Sequence, residues 1–251
     1  MDKTRIIGID CATVDSKVGL ALGTADSNGC VVERAAAWTK ETKVAETVAE
    51  WLDHSDRALV ALDAPLGWPR PLGRGLAEHR AGSSFAETAN ELFRRETDRH
   101  VKQQFGKQPL DVGADRIART AVSALSLLRE IRRITGLPIA LACQPDYEDR
   151  VTAIEIYPAA TLVACGLPAT NYKNNHQAAA RRTIIAGLER WMRLPAERND
   201  MESNADVLDA AICVLAGFDF VTGKATPPAN LDLAQHEGWI WVRRKAATPE
   251  E

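Results

Sequence analysis

The chain has 251 residues, 45% of them hydrophobic and 26% charged, with a formal net charge of -3. That balance excludes disordered, collagen-like and disulfide-scaffold classes, and a chain this long can bury a core without a covalent or metal staple. The slight acidic excess excludes a uniformly basic polyanion binder, so any nucleic-acid contact has to come from local patches.

The five cysteines, Cys11, Cys30, Cys143, Cys165 and Cys213, are odd in number and form no C-x-x-C. They therefore give neither a disulfide framework nor a zinc knuckle, and a reducing, cytoplasmic setting is expected. Met1-Asp2-Lys3-Thr4-Arg5 leads straight into an apolar run without the pattern of a secretory leader. No stretch approaches the roughly 18 apolar residues of a membrane span, so no membrane partner is expected.

Ile6-Ile7-Gly8-Ile9 reads as a strand buried on both faces, and it stops at Asp10-Cys11. A second apolar run, Val18 to Gly23, and a third, Cys30 to Trp38, are separated by the turn signal Asp26-Ser27-Asn28-Gly29. Two hairpin-like connections make these three strands antiparallel. Val44, Val48, Trp51 and Leu52 recur at helical spacing, which predicts an amphipathic helix over 43–54. Ala58-Leu59-Val60-Ala61-Leu62 is the next buried strand, closed by Asp63-Ala64-Pro65.

Residues 66–113 are rich in Gly, Pro and Arg and read as an insertion or lid with one helix around 85–95. A long helix is predicted over 114–134, ended by Gly136 and Pro138. A short strand at Ile139 to Ala142, a better one from Val151 to Tyr157, a basic helix over 176–193 and an apolar helix over 204–218 follow. Trp239-Ile240-Trp241-Val242 is the last predicted strand, with both tryptophans on one face as core. The whole is expected to be one domain over 1–251, with a second insertion at about 159–203.

The placement of acids is the sharpest feature. Asp10 and Asp63 each end an apolar strand, Glu155 lies inside one, and Asp206 and Asp209 share a helix face three residues apart. Acids are rare in buried strands because a desolvated carboxylate is costly. Two of them about 4 Å apart repel by about 4 kcal/mol at an effective dielectric near 20. A divalent cation removes that repulsion, and oxygen-only ligation suits Mg²⁺ or Mn²⁺. As a set, Asp10, Asp63, Glu155, Asp206 and Asp209 are the candidate catalytic residues. The structural alternatives are turn formation at the strand ends and charge stabilisation of a helix start by Asp206.

Several of these acids lie in a wider series of local motifs. Ile9-Asp10-Cys11, Leu62-Asp63-Ala64-Pro65-Leu66-Gly67-Trp68-Pro69, Arg94-Arg95-Glu96-Thr97-Asp98, Ile154-Glu155-Ile156-Tyr157-Pro158, Asp206-Val207-Leu208-Asp209-Ala210-Ala211 and Glu237-Gly238-Trp239-Ile240 occur in that order. In this the chain resembles the domain of unknown function 429 family, from about residue 5 to 242. That family is regarded as predicted nucleases. The resemblance implies an α/β, ribonuclease H-like mixed sheet of three antiparallel strands, a helix and parallel strands, flanked by helices and carrying a helical insertion. It also implies nucleic acid as partner, and Asp10, Asp63 and Asp209, or Asp206, as the ligands of Mg or Mn. Glu155 is an acid beyond the minimal set.

Arg94 and Asp98, four apart, form a candidate phosphate-binding arginine oriented by its acid, or else a solvated ion pair. Lys173, Arg181 and Arg182 are candidate backbone contacts or an ordinary basic helix face, and Trp68 is a candidate stacking platform. The five histidines, His54, His79, His100, His176 and His236, lack metal-ligand spacing and are assigned to no metal. Cys11, with no histidine adjacent, reads as a small buried residue rather than a nucleophile.

Three functions compete. The first is a metal-dependent nuclease hydrolysing phosphodiesters. The second is an actin-like phosphotransferase or ATPase, for which Gly8-Ile9-Asp10-Cys11-Ala12-Thr13 would be a phosphate loop. The third is a noncatalytic binding module, whose acids would need buried salt bridges, to Arg94 or Arg116 for instance.

Overall fold

The computed structural model describes residues 2–38, 43–53, 55–113, 115–144, 149–174 and 176–245. His54 lies outside them. Strands β1 (Thr4–Asp10), β2 (Gly19–Asp26) and β3 (Gly29–Ala37) pair antiparallel through short connections. Asp26 shapes the second turn by accepting from the Asn28 N–H at 2.7 Å. Helix α1 (Val44–Asp53) then returns the chain so that β4 (Ala58–Asp63) lies parallel to β1. Beyond it, β6 (Val151–Glu155) is parallel to β4, and the two-residue β5 (Ala140–Leu141) closes the edge, giving the order β3-β2-β1-β4-β6-β5. The three antiparallel strands, the helix and the parallel strands follow the order expected from the sequence.

Both sheet faces are covered, which is why the strands read as continuous apolar runs. One face packs Ile7, Ile9, Val60 and Leu62 against α1 and α5 (Asp115–Thr135). The other packs Ile6, Leu59, Ala61 and Ile154 against α9 (Ala205–Val221), which is buried over nearly its whole length. Asn204 caps α9 by accepting from the Asp206 N–H at 2.8 Å.

The region 66–113 departs from the single expected helix. It holds α2 (Arg70–Ala77), α3 (Ala89–Phe93) and α4 (Glu96–Phe105). Thr88 starts α3 with a capping box, and the extended Arg95 separates α3 from α4. Three further helices complete the layer on the α9 side: α6 (Pro158–Ala164), α7 (Ala178–Leu188) and α8 (Asn199–Ser203), with α10 (Leu231–Glu237) before the terminal segment. Trp239 to Val242 is not a full strand. It touches β6 through one bridge, Glu155 to Ile240, because the Ile240 N–H is taken by the Thr97 hydroxyl at 2.8 Å. Both tryptophans are core, as expected. Among the described residues, no helix is long and apolar enough to cross a membrane.

Candidate active site

Strand parity brings the first two acids together. Ile6, Gly8 and Asp10 alternate toward α9, as do Leu59, Ala61 and Asp63. Asp10 and Asp63 are direct register partners on adjacent parallel strands, which run about 4.8 Å apart. Asp209 comes from α9, and two glycines set how near it lies. A Cβ on Gly8 would overlap the Ala210 carbonyl oxygen, and one on Gly19 the Asp206 carbonyl oxygen. Backbone meets backbone at both positions, so only glycine lets the acid-bearing turns of α9 rest on the ends of β1 and β2.

The result is a cluster of carboxylates in which Asp209 is fully buried while Asp10, Asp63 and Asp206 are half-buried. Burial, then the neighbouring Asp63 and Asp209 charges, raise the pKa of Asp10 well above the usual range. Burial pushes Asp63 up to about 7, with Lys173 opposing and Asp209 adding to the rise. The two carboxyls are close enough to share one proton. Burial raises Asp209 as well, against the pull of Lys173. Asp206 is half-buried one turn away and raised mainly by burial. It does not line the cavity that Asp10 and Asp63 share. Cys11 is held as a neutral thiol by burial and by the two adjacent acids, which agrees with its reading as a packing residue.

One cation enters the cluster. Lys173 Nζ lies 2.7 Å from Asp209 Oδ2, while Tyr172 donates its hydroxyl to Asp209 Oδ1 at 2.8 Å. The lysine side chain is 59% exposed, so it reaches the wholly buried Asp209 from the solvent side. Burial alone would lower its pKa, but the charges of Asp209, Asp63 and Asp10 prevail and hold it protonated. The loop carrying both residues is fixed by Arg181, which is 1% exposed. Arg181 donates to the carbonyls of Tyr172 (2.6 Å) and Asn174 (2.9 Å) and to that of Glu202 (2.6 Å), stapling the loop to α8. Asn171, just before it, takes a left-handed conformation (φ 59°), which asparagine tolerates better than most residues. Arg181 is thus an internal brace, while Lys173 sits at the acids. Tyr172 was invisible to motif reading.

Glu155 has different surroundings. By parity it points away from α9, with Val151 and Ala153. There Arg95 binds it twice, Nη2 to Oε1 at 2.6 Å and Nη1 to Oε2 at 2.8 Å, and the Leu66 N–H adds a third bond at 3.0 Å. Arg95 also donates to Asp98 from Nε and Nη2 and to the Glu237 carbonyl from Nη1. The Glu237 carboxylate in turn accepts from the Arg70 and Glu96 N–H groups at 2.8 and 2.9 Å. This buried network joins the helices of 66–113, β6 and the terminal segment. Glu155 borders the same cavity as Asp10 and Asp63, but its oxygens are engaged elsewhere.

The expected Arg94–Asp98 pair is not formed. Asp98 faces Arg95, and Arg94 instead donates to Asp111 at 3.0 Å. The i,i+4 spacing misleads here because Arg94 precedes the extended Arg95 and so lies outside α4. Trp68 is half-buried and does not line the cavity.

The cavity beside the acids measures 420 Å³ and is lined by Asp10, Asp63 and Lys173 together with Tyr157, Ile117 and Leu110. Among the described residues, no three His, Cys, Asp or Glu side chains are grouped closely enough to enclose a metal ion by themselves. Mg²⁺ characteristically uses one or two carboxylates and completes its shell with water and phosphate oxygens. The adjacent Asp10 and Asp63, hard oxygen donors that repel one another, fit such an ion. Asp209, occupied by Tyr172 and Lys173, does not contribute in this arrangement.

Comparison with protein families matches residues 8–232 to a model described as a protein of unknown function, DUF429. No curated protein matches. Among solved structures, the chain is similar to T. thermophilus RuvC in complex with a Holliday junction substrate. The identity is 14% and the TM-score 0.37, over 90% of this chain and 99% of that one.

Proposed function

The chain belongs to the DUF429 family, and from its site we propose that it hydrolyses phosphodiester bonds in nucleic acid, with Mg²⁺ or Mn²⁺ held by Asp10 and Asp63. The observation that carries this is the convergence of Asp10, Asp63 and Asp209, from β1, β4 and α9, around a single lysine beside an open cavity. A structural carboxylate in this protein looks different: Glu155 is buried and paired twice with arginine. Asp10 and Asp63 have no arginine or lysine bonded to them among the described contacts.

When bound, the ion would polarise a phosphoryl oxygen and lower the pKa of a water. The protein's own groups do the rest. Lys173, held protonated, offers a donor to a phosphate oxygen and is positioned by Asp209. Tyr172 and Arg181 fix that lysine's loop. Asp10 and Asp63 would hold the ion, and the attacking water, acidified by it, gives up its proton to solvent. The water oxygen bonds to phosphorus, the bond from phosphorus to the bridging sugar oxygen breaks, and that oxygen takes up a proton.

The test is calorimetric titration of Mn²⁺ and Mg²⁺ into the wild type and Asp63→Asn, with hydrolysis of single- and double-stranded oligonucleotides followed in parallel. Binding that disappears in the variant together with hydrolysis supports the assignment. Unchanged metal affinity in Asp63→Asn removes it.

A further inference from the structure

The cavity at the acids has the size of a small-ligand pocket, roughly 300–1,000 Å³, not of a groove that cradles a duplex. Its 420 Å³ has two kinds of lining. Asp10, Asp63 and Lys173 are charged, while Leu110, Ile117, Ile156 and Tyr157 present apolar and aromatic surface. Leu110 is 68% exposed, an open apolar face at the rim. The segment that carries it is tied to the opposite wall: Lys107 Nζ donates to the Ala169 carbonyl at 3.0 Å, and both residues line the cavity. The cavity is therefore bridged. A cavity of this size, bounded on one side by that tie, accommodates one nucleotide at the end of a strand rather than a continuous duplex.

The same segment has a second face. Pro109, Leu110 and Ile117 also border a 520 Å³ depression that carries Arg94 and Arg116. Arg94 is held there by Asp111 at 3.0 Å and Asp115 shares the lining, so Arg116 is the guanidinium placed for the next phosphate of an entering strand, one apolar ridge away from the acids.

We propose that this cavity seats the terminal nucleotide of a single strand. Its phosphate faces Lys173 and the acids, its base lies against Tyr157, Ile117 and Leu110, and the following phosphate passes to Arg116. Cleavage then follows the balance given above and releases nucleoside monophosphates one at a time. The inference rests on the phosphodiesterase reading, and its test separates the two.

A linear single-stranded oligonucleotide and a covalently closed circle of the same sequence are incubated with the protein and Mn²⁺. Binding of a nucleoside 5′-monophosphate to the wild type and to Leu110→Asp is measured by calorimetry. Leu110 is exposed, so the variant folds. The expected result is stepwise loss of the linear strand, an intact circle, and monophosphate affinity reduced about tenfold or more in the variant. Cutting of the circle as fast as the linear strand, or unaltered affinity in Leu110→Asp, overturns the pocket assignment and leaves phosphodiesterase activity standing. Monophosphate binding that is lost in Leu110→Asp without hydrolysis of either strand supports the pocket and removes the nuclease. Absence of both binding and hydrolysis overturns both.

Discussion

Replacing Arg95 by Met tests the division between structural and reactive acids. Arg95 is 1% exposed, and its guanidinium donates to Asp98, Glu155 and the Glu237 carbonyl. Methionine fills much of the volume but leaves two buried carboxylates without their shared cation. Breaking one buried pair from one side costs about 3–5 kcal/mol. Two acids lose their partner here, so Arg95→Met is expected to lie at or beyond the upper end of that range. Glu155→Gln behaves differently. It keeps the shape, leaves Arg95 opposite Asp98, and removes a carboxylate whose pKa burial already raises. Its cost is expected near that of a weakened charged hydrogen bond, about 1.5–3 kcal/mol. Both are read by urea denaturation at pH 7.5, with Mn²⁺ titrated into Glu155→Gln by calorimetry. Metal affinity is expected to survive in that variant, since both Glu155 oxygens are already engaged by Arg95 and the Leu66 N–H. An Arg95→Met protein destabilised by less than about 1 kcal/mol, or a Glu155→Gln protein that loses its metal, would refute the separation of the two clusters.

Three further outcomes follow from the same contacts. Folding raises the Asp63 pKa to about 7 from an ordinary value of about 3.9, so the native state keeps a proton that the unfolded chain releases in between. Metal-free stability should therefore fall as pH rises from about 4 to 7, by up to about 1.4 kcal/mol per pH unit, and level off above; Asp63→Asn flattens this dependence, and an unchanged slope in thermal melts contradicts it. Lys173→Met leaves the acids without their ammonium, so at pH 8 it should melt below the wild type and recover more than the wild type does when millimolar Mg²⁺ is added. Gly8→Ala forces a methyl group onto the Ala210 carbonyl and should cost about 1–3 kcal/mol or more by denaturation, a cost absent if α9 can simply shift.

Much of the fold was legible in the sequence because apolar runs, turn residues and helical periods act locally. The runs at Ile6, Val18, Cys30 and Ala58 became β1 to β4, and the helical pattern ending at Gly136 became α5. Side-chain direction was not legible. A strand buried on both faces shows no alternation, so the sequence says that Asp10, Asp63 and Glu155 sit in strands but not which way each points. One residue of register sends Ile154 toward α9 and Glu155 to the opposite side. The same one-residue ambiguity exchanged Arg94 for Arg95, and only the extended backbone at Arg95 resolves it. Lys173 meets Asp209 across 36 positions of chain, through a loop whose shape depends on Arg181, and no local period reports such a meeting.

The two clusters also differ in how charge is balanced. Around Arg95, every guanidinium N–H has an acceptor, and backbone N–H groups satisfy further carboxylate oxygens. Such a network is rigid and gains nothing from a ligand. Around Lys173, three carboxylates face one ammonium, so full ionisation leaves two negative charges unbalanced. Burial and mutual repulsion push Asp10 and Asp63 toward their protonated forms. One divalent cation would carry the missing charge and displace protons held on those acids. Metal binding should then release protons near neutral pH, with the number released falling as pH rises through 7. Calorimetry of Mn²⁺ binding in buffers of different ionisation enthalpy counts them, and proton release that is absent at pH 6.5 would separate the metal from the acid pair.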